Sequence, residues 1–250
     1  MYNRLKYLIE RRRMPQNSIR PGLVDAWNAF MCDGAKWSEN DIPFCPTILT
    51  EIPSRIITWV EAKSIYKKRI KEDSSFKDDS FVCFYIDDHK FDGTRAGIWA
   101  QPHRSLEILS HFKGIVTPDF SEYQDFPYPV KLYNIYRMRA FGHWCGRNGL
   151  EIINNVRWGT EETFDYSFDG VEKNSVVAIG TVGGSPRKIL DRQRFERGLS
   201  ELITRLEPKA ILTYGSAKYP CFDQLRATGI EVYEYPGATA EAFKRSKDHE

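Results

Sequence analysis

The chain lacks the signals that most directly assign a function. No apolar run approaches the roughly 20 residues a membrane-spanning helix needs. No G-x-S-x-G, H-E-x-x-H, P-loop or protein-kinase signature occurs. Cysteine is sparse: Cys32, Cys45, Cys83, Cys145 and Cys221 are odd in number and form no C-x-x-C pair. That argues against a disulfide framework and against a zinc site. Cys83 and Cys145 fall inside an expected strand and helix, where cysteine acts as a small hydrophobe. The opening segment, MYNRLKYLIERRRM, has no apolar core followed by small residues, so it is not a secretory signal. A soluble cytoplasmic protein is the expectation, with no membrane partner.

What is present supports a full core. The 250 residues are 41% hydrophobic and 14% aromatic, enough for one large α/β domain or two small ones. Net charge is only +2 but is unevenly spread. Residues 1–20 carry Arg4, Lys6, Arg11, Arg12, Arg13 and Arg20 against Glu10 alone. A second basic run holds Lys63, Lys67, Lys68, Arg69 and Lys71. Such asymmetry suits a nucleic-acid contact, and equally a solvated helix face. Arg11, Arg12, Arg13, Lys67 and Lys68 are the candidate nucleic-acid residues.

The middle of the chain alternates strand-like and helix-like segments. The runs FVCFYI, SVVAIG and AILTY are continuously apolar, the mark of strands buried on both faces of a parallel sheet. Residues 55–70 read as a helix capped by Ser54, and the long segment after Pro129 as another. In that second helix Tyr133, Tyr136, Ala140, Phe141 and Trp144 share a face. Arg139 then falls on the water side, while Arg137 can reach a strand end. Six β units are clear, and Pro43–Leu49 would supply a seventh. The expected fold is a parallel β/α repeat resembling a TIM barrel, complete or incomplete, with an open doubly wound sheet as the alternative. The expected layout is a basic helical extension over 1–40, a single β/α domain over 41–236 and a loose charged tail over 237–250.

Parallel sheets gather their ligand sites at the carboxyl ends of the strands. Polar residues follow five strands here: Asp87, Asp88 and His89; Thr117, Asp119, Ser121 and Tyr123; Asn155, Arg157 and Trp158; Thr181 with Gly183 and Gly184; and Tyr214 with Gly215 and Ser216. Asp87, Asp88 and Asp119 are the candidate catalytic residues, as acid and base. Asp87 and Asp119 would also suit a divalent cation, Mg or Mn, with Asn155 as a neutral ligand. Strand alternation would let only one of Asp87 and Asp88 face the mouth. Arg157 suits a phosphate or carboxylate, and Trp158 a flat ring. Asn155, Thr181 and Tyr214 complete the expected ligand set. The bland alternatives are turn-capping aspartates and an arginine paired to them. The glycine loop at 180–185 could cradle a phosphate, but it matches neither a P-loop nor G-x-G-x-x-G.

The ordered blocks FYIDDHKFD, GIVTPDFSEYQDFPYPVKLYNIYRMRAFGHWCGRNGLEIINNVRWG, FDGVEKNSVVAIGTVG and LEPKAILTYGS resemble the DUF4417 family across roughly residues 40–216. Family members often carry a proline where this chain has Asn154 in the run Ile153–Val156, and the stretch Gly93–Gln101 also departs from the pattern. The resemblance implies a phage or mobile-element setting in a bacterial cell and transfers no chemistry. Two functions follow as expectations. One is an enzyme acting on a phosphate-bearing ligand, a nucleotide or nucleic acid. The other is a non-catalytic accessory factor that binds nucleic acid or protein.

Overall fold

The computed structural model describes residues 24–182 and 189–237. Seven strands lie in chain order across one parallel sheet: β1 Ile56–Thr58, β2 Asp78–Cys83, β3 Phe112–Val116, β4 Glu151–Asn155, β5 Val176–Gly180, β6 Ala210–Tyr214 and β7 Glu231–Tyr235. Helices α1 Trp59–Arg69, α2 Pro102–Leu109, α3 Tyr128–Arg147, α4 Phe164–Ser167, α5 Ile189–Leu206 and α6 Pro220–Ala227 occupy the connections. The order never reverses, which excludes the doubly wound alternative, because that fold turns back at a switch point. Right-handed crossovers taken always in one direction leave every helix on one face. The other face must cover itself, and the sheet curls into a half-barrel.

The two faces divide the apolar strand residues by alternation. Val82, Phe84, Ile115 and Ile152 face the helices, as do Val177, Ile179 and Ile211 further along. Phe81, Cys83, Tyr85, Val116, Ile153, Ala178, Leu212 and Tyr214 form the inner cluster. Each large side chain fully buried there contributes roughly 1.5–3 kcal/mol. The Tyr235 hydroxyl of β7 donates to the Pro53 carbonyl ahead of β1 at 2.6 Å. The two edges therefore meet through a side chain, while among the described residues no backbone ladder joins β1 to β7.

The first β unit differs from expectation. Residues Ile56–Thr58, read from sequence as helix, are β1. The helix begins only at Trp59, and its cap is Thr58, not Ser54. Thr58 accepts from the Glu61 backbone N–H, and the Glu61 carboxylate accepts from the Thr58 N–H at 2.8 Å. This T-x-x-E capping box satisfies two otherwise orphaned donors. Thr58→Ala should therefore lower stability by about 1 kcal/mol, read as a shift in the denaturant midpoint at unchanged slope. An unchanged midpoint would show that the box contributes nothing. The expected strand at Pro43–Leu49 makes only isolated bridges, Pro43 to Trp37, Cys45 to Val171 and Ile48 to Ile152.

Helix α3 is the other correction. Arg139 is fully buried rather than water-facing. Its side of α3 is closed by the end of β4 and by Ser167–Gly170, while the turn Ala29–Cys32 covers the apolar side, where the Phe30 ring packs edge-on against Trp144. That 3-10 turn is the one helical element among the described residues of 24–40. Buried without a carboxylate partner, the Arg139 guanidinium donates to the carbonyls of Asn155, Asp169 and Ser167 at 2.7, 3.0 and 3.2 Å. Burial pulls its pKa down to about 10, so it stays charged at neutral pH. Arg137 does reach a strand end: it forms a two-oxygen pair with Asp92 beyond β2 and lies 3.9 Å over the Phe120 ring.

Candidate functional site

The carboxyl ends of β2 to β5 surround a cavity of about 480 Å³, within the range of small-ligand pockets. Its floor is built from the inner face of the sheet. Tyr85 stacks on Tyr214 with ring centroids 5.1 Å apart. Position 180 must be glycine for this, because a Cβ there would lie 2.7 Å from the Tyr85 ring. The Tyr85 hydroxyl donates to Asn155 Oδ1 at 2.9 Å. That fixes the amide orientation, so Asn155 Nδ2 donates to Asp119 Oδ1, also at 2.9 Å. Asp119 Oδ2 accepts from Arg157 Nη1 at 2.6 Å. The Asn155 backbone is itself held at both ends, its N–H on Thr117 Oγ1 and its carbonyl on Arg139. A chain of directed hydrogen bonds thus runs from the packed interior to the cavity wall.

Arg157 spends only Nη1 on the protein among the described residues. Its side chain is 32% exposed, and its remaining donors are open to a ligand. Burial works against its charge, but Asp119 above all, with Glu122 and Asp88, holds the guanidinium above its ordinary value. Asp88 is a brace as well as a lining residue. It accepts from the Ser121 hydroxyl at 2.7 Å and the Ser121 N–H at 3.2 Å, tying the loop after β2 to the loop after β3. Asp87 lies farther out, paired with Lys90 at 2.7 Å. That pairing holds its carboxyl below the usual range.

The expected residues are therefore only partly brought together. Asp87, Asp88, Asp119, Asn155, Arg157 and Trp158 all line the cavity. The alternation argument that admitted only one of Asp87 and Asp88 does not apply, because β2 ends at Cys83 and Asp88 begins a 3-10 turn. Trp158 is packed between Phe195 and Phe168 at 5.4 and 6.4 Å, and Gly198 leaves room for its indole. Thr181 and Tyr214 do not line the cavity. Thr181 Oγ1 instead donates to the Ser216 carbonyl at 2.9 Å, and Tyr214 lies beneath Tyr85. Gly183, Gly184 and Ser185, like Arg11, Arg12 and Arg13, lie outside the described residues. Lys67 and Lys68 are exposed on α1, away from the cavity lining.

The divalent-cation reading does not fit. Both Asp119 oxygens already accept from N–H donors, one of them a guanidinium that would repel a cation. Asp87 is turned to Lys90. Among the described residues no group of three or more His, Cys, Asp or Glu could hold a metal.

Glu122 was not legible from sequence. It follows Ser121 in a polar loop, where nothing in the pattern signals burial. Yet it is 5% exposed and lines the cavity. Neither of its carboxyl oxygens has a hydrogen-bond partner. Burial first, and then the Asp119 charge, push its pKa up to about 8 against the pull of Arg157, Arg139 and Lys131. Asp191 and Arg194 of α5 also reach the cavity, Arg194 donating to Gln124 Oε1 at 3.1 Å.

Known proteins place the chain in context. Residues 46–236 match the family described as "Domain of unknown function (DUF4417)". The chain is similar to the Gene 1 protein of Mycobacterium phage L5, 32% identical over 220 residues that cover 88% of each chain. It is likewise 32% identical over 220 residues to the Gene 1 protein of Mycobacterium phage D29, covering 88% of this chain and 74% of that one. No solved structure matches. With most of its length inside the family match and two phage relatives at this identity, the chain belongs to the phage-associated DUF4417 family.

Proposed function

We propose that the protein is an acid–base enzyme acting on a small ligand that carries an anionic group, a phosphate in the reading taken from sequence. The observation that carries this is the trio Asp119, Arg157 and Glu122 at the cavity wall. Arg157 offers unspent donors to an anion. The two carboxyl groups beside it sit in opposite environments, which is how one site holds an acid and a base at the same pH. Asp119, hydrogen-bonded to two donors, is the base. Glu122, buried and unpartnered, keeps its proton at neutral pH and is the acid. Asn155 and Tyr85 orient Asp119.

The test is turnover of a panel of nucleoside phosphates and sugar phosphates, followed by phosphorus NMR at pH 7. The wild type should convert at least one member. Glu122→Gln and Asp119→Asn should each slow that conversion about 10²–10⁴-fold, the usual contribution of a positioned acid or base. A panel left unconverted and unbound, or unchanged rates in both variants, would overturn the reading.

A second reading rests on Lys67 and Lys68. Both are exposed on α1, and neither is in an ion pair among the described residues. Under it the protein is an accessory factor that holds the nucleic-acid backbone. Binding to duplex DNA would then weaken steeply with salt. Converting both lysines to alanine would reduce the log–log slope by about 2, one unit for each lost phosphate contact. Binding that ignores salt would sink this reading.

A further inference from the structure

Glu122 poses a problem that the acid–base role alone does not solve. A buried carboxyl with two unpartnered oxygens forfeits the hydrogen bonds it had in water, and native proteins rarely leave such groups without a reason. None of the neighbouring cations bonds to it. Arg157 is on Asp119, Arg139 is on three carbonyls, and Lys131 is on Glu162. Both oxygens are therefore unspent on the protein, though each is buried in the wall of the cavity. The cavity they border suits a flat group, since Ile86, Val156, Trp158, Ile179, Gly180 and Phe195 all line it.

We propose that Glu122 recognises a planar ligand edge that presents one N–H donor beside one carbonyl acceptor, as in a lactam nucleobase or a primary carboxamide. A neutral carboxylic acid offers one O–H donor and one carbonyl acceptor side by side, the complement of that edge. An ionised carboxylate would offer two acceptors and would call for two N–H donors instead. The environment favours the neutral form, since burial and the Asp119 charge both raise the Glu122 pKa, to about 8. The carboxyl sits in the wall and meets the ligand as the wall adjusts to it. With an anionic group on Arg157, the combined ligand has the chemistry of a nucleotide bearing a lactam base, or of an anionic carboxamide. This inference rests on the ligand site proposed above and adds which edge the ligand presents to Glu122.

The experiment is calorimetric titration at pH 7, in two buffers of different ionisation enthalpy. The probes are uridine monophosphate, N3-methyluridine monophosphate, inosine monophosphate and nicotinamide. At least one of the lactam or carboxamide probes should bind the wild type. Preference among uridine, inosine and nicotinamide probes separates the nucleobase source from the carboxamide. For uridine monophosphate, N3-methylation, which removes the donor, should weaken binding by about tenfold or more. Glu122→Gln keeps one donor and one acceptor and should bind within about threefold of wild type. Glu122→Leu should not bind, and its melting curve shows whether it is folded. No proton should be taken up or released.

Four results would overturn the inference: binding by none of the probes, equal affinity after methylation, equal affinity in folded Glu122→Leu, or release of a proton on binding. The Glu122→Gln variant separates this inference from the catalytic reading. Binding kept with turnover lost supports both. Turnover kept with binding kept removes the acid role and leaves the recognition role standing. Turnover of a panel member that lacks the donor–acceptor edge removes the recognition role and leaves the acid–base reading intact.

Discussion

Arg139→Leu should be the most damaging single change in the domain, lowering the melting temperature by about 10 °C or more. The reason is where the guanidinium is spent. It is fully buried and donates to the carbonyls of Asn155, Asp169 and Ser167. Leucine fills part of the volume but leaves three buried acceptors without donors. Each unsatisfied buried group costs about 1–3 kcal/mol, and breaking a buried charged network costs about 3–5 kcal/mol. At roughly 2–4 °C per kcal/mol for a chain of this size, the lower end of that range is already near about 10 °C. The damage should extend beyond stability. Arg139 holds the carbonyl of Asn155, and the Asn155 side chain holds Asp119. Ligand binding at the cavity should therefore weaken even at temperatures where the variant is folded. A melting temperature within about 2 °C of wild type, less than 1 kcal/mol on the same scale, would show that the three carbonyls find water or other donors, and would refute the account.

Glu122→Gln should do the opposite to stability, and do so only above acidic pH. The unfolded chain loses the Glu122 proton near the ordinary value of about 4.3. The folded protein keeps it until about 8. Between those two values the folded state binds the extra proton. Stability therefore falls as pH rises through the window, by about 1.4 kcal/mol per unit, and levels off above about 8. Below the unfolded value the group is protonated in both states and contributes no slope. The glutamine amide has no proton to lose in this range. The variant should therefore be more stable than wild type by a few kcal/mol at about pH 8 and equal to it near about pH 4. Chemical denaturation at a series of pH values reads this directly. Parallel curves for the two proteins would mean that Glu122 is ionised in the folded state and paired in solution. The same substitution that stabilises should slow turnover, the pattern expected where a site keeps a destabilising group for its function.

Several features of this site could be read from residue types alone, and the reason is local. Continuous apolar runs such as FVCFYI and AILTY have no polar face, so they had to be strands covered on both sides. A parallel sheet collects whatever follows its strands, and so Asp87, Asp88, Asp119, Asn155, Arg157 and Trp158 all reached one cavity. Seven β units were countable, although the first was misplaced. Ile56–Thr58 is β-branched and apolar, but only three residues long, and it runs without a break into a helix. The T-x-x-E box at Thr58 marked the true boundary.

What the amino-acid sequence determined by itself was the parallel sheet and the end of it that carries the site, because both follow from apolar runs and from the residues next to them in the chain. The roles of individual polar side chains were decided only by tertiary structure. Arg139 looked water-facing until the end of β4 and the segment Ser167–Asp169 closed over its side of α3. Tyr214 and Thr181 looked like mouth residues until the curl of the sheet turned them into packing and a backbone bond. Glu122 looked like an ordinary loop glutamate until burial against Asp119 raised its pKa and left its oxygens unpaired. For Arg139, Tyr214 and Thr181 the deciding contacts are made by residues remote in the chain; for Glu122 the deciding effects are burial and the nearby Asp119 charge, and burial and charge coupling act through space, where spacing along the sequence gives no measure of them.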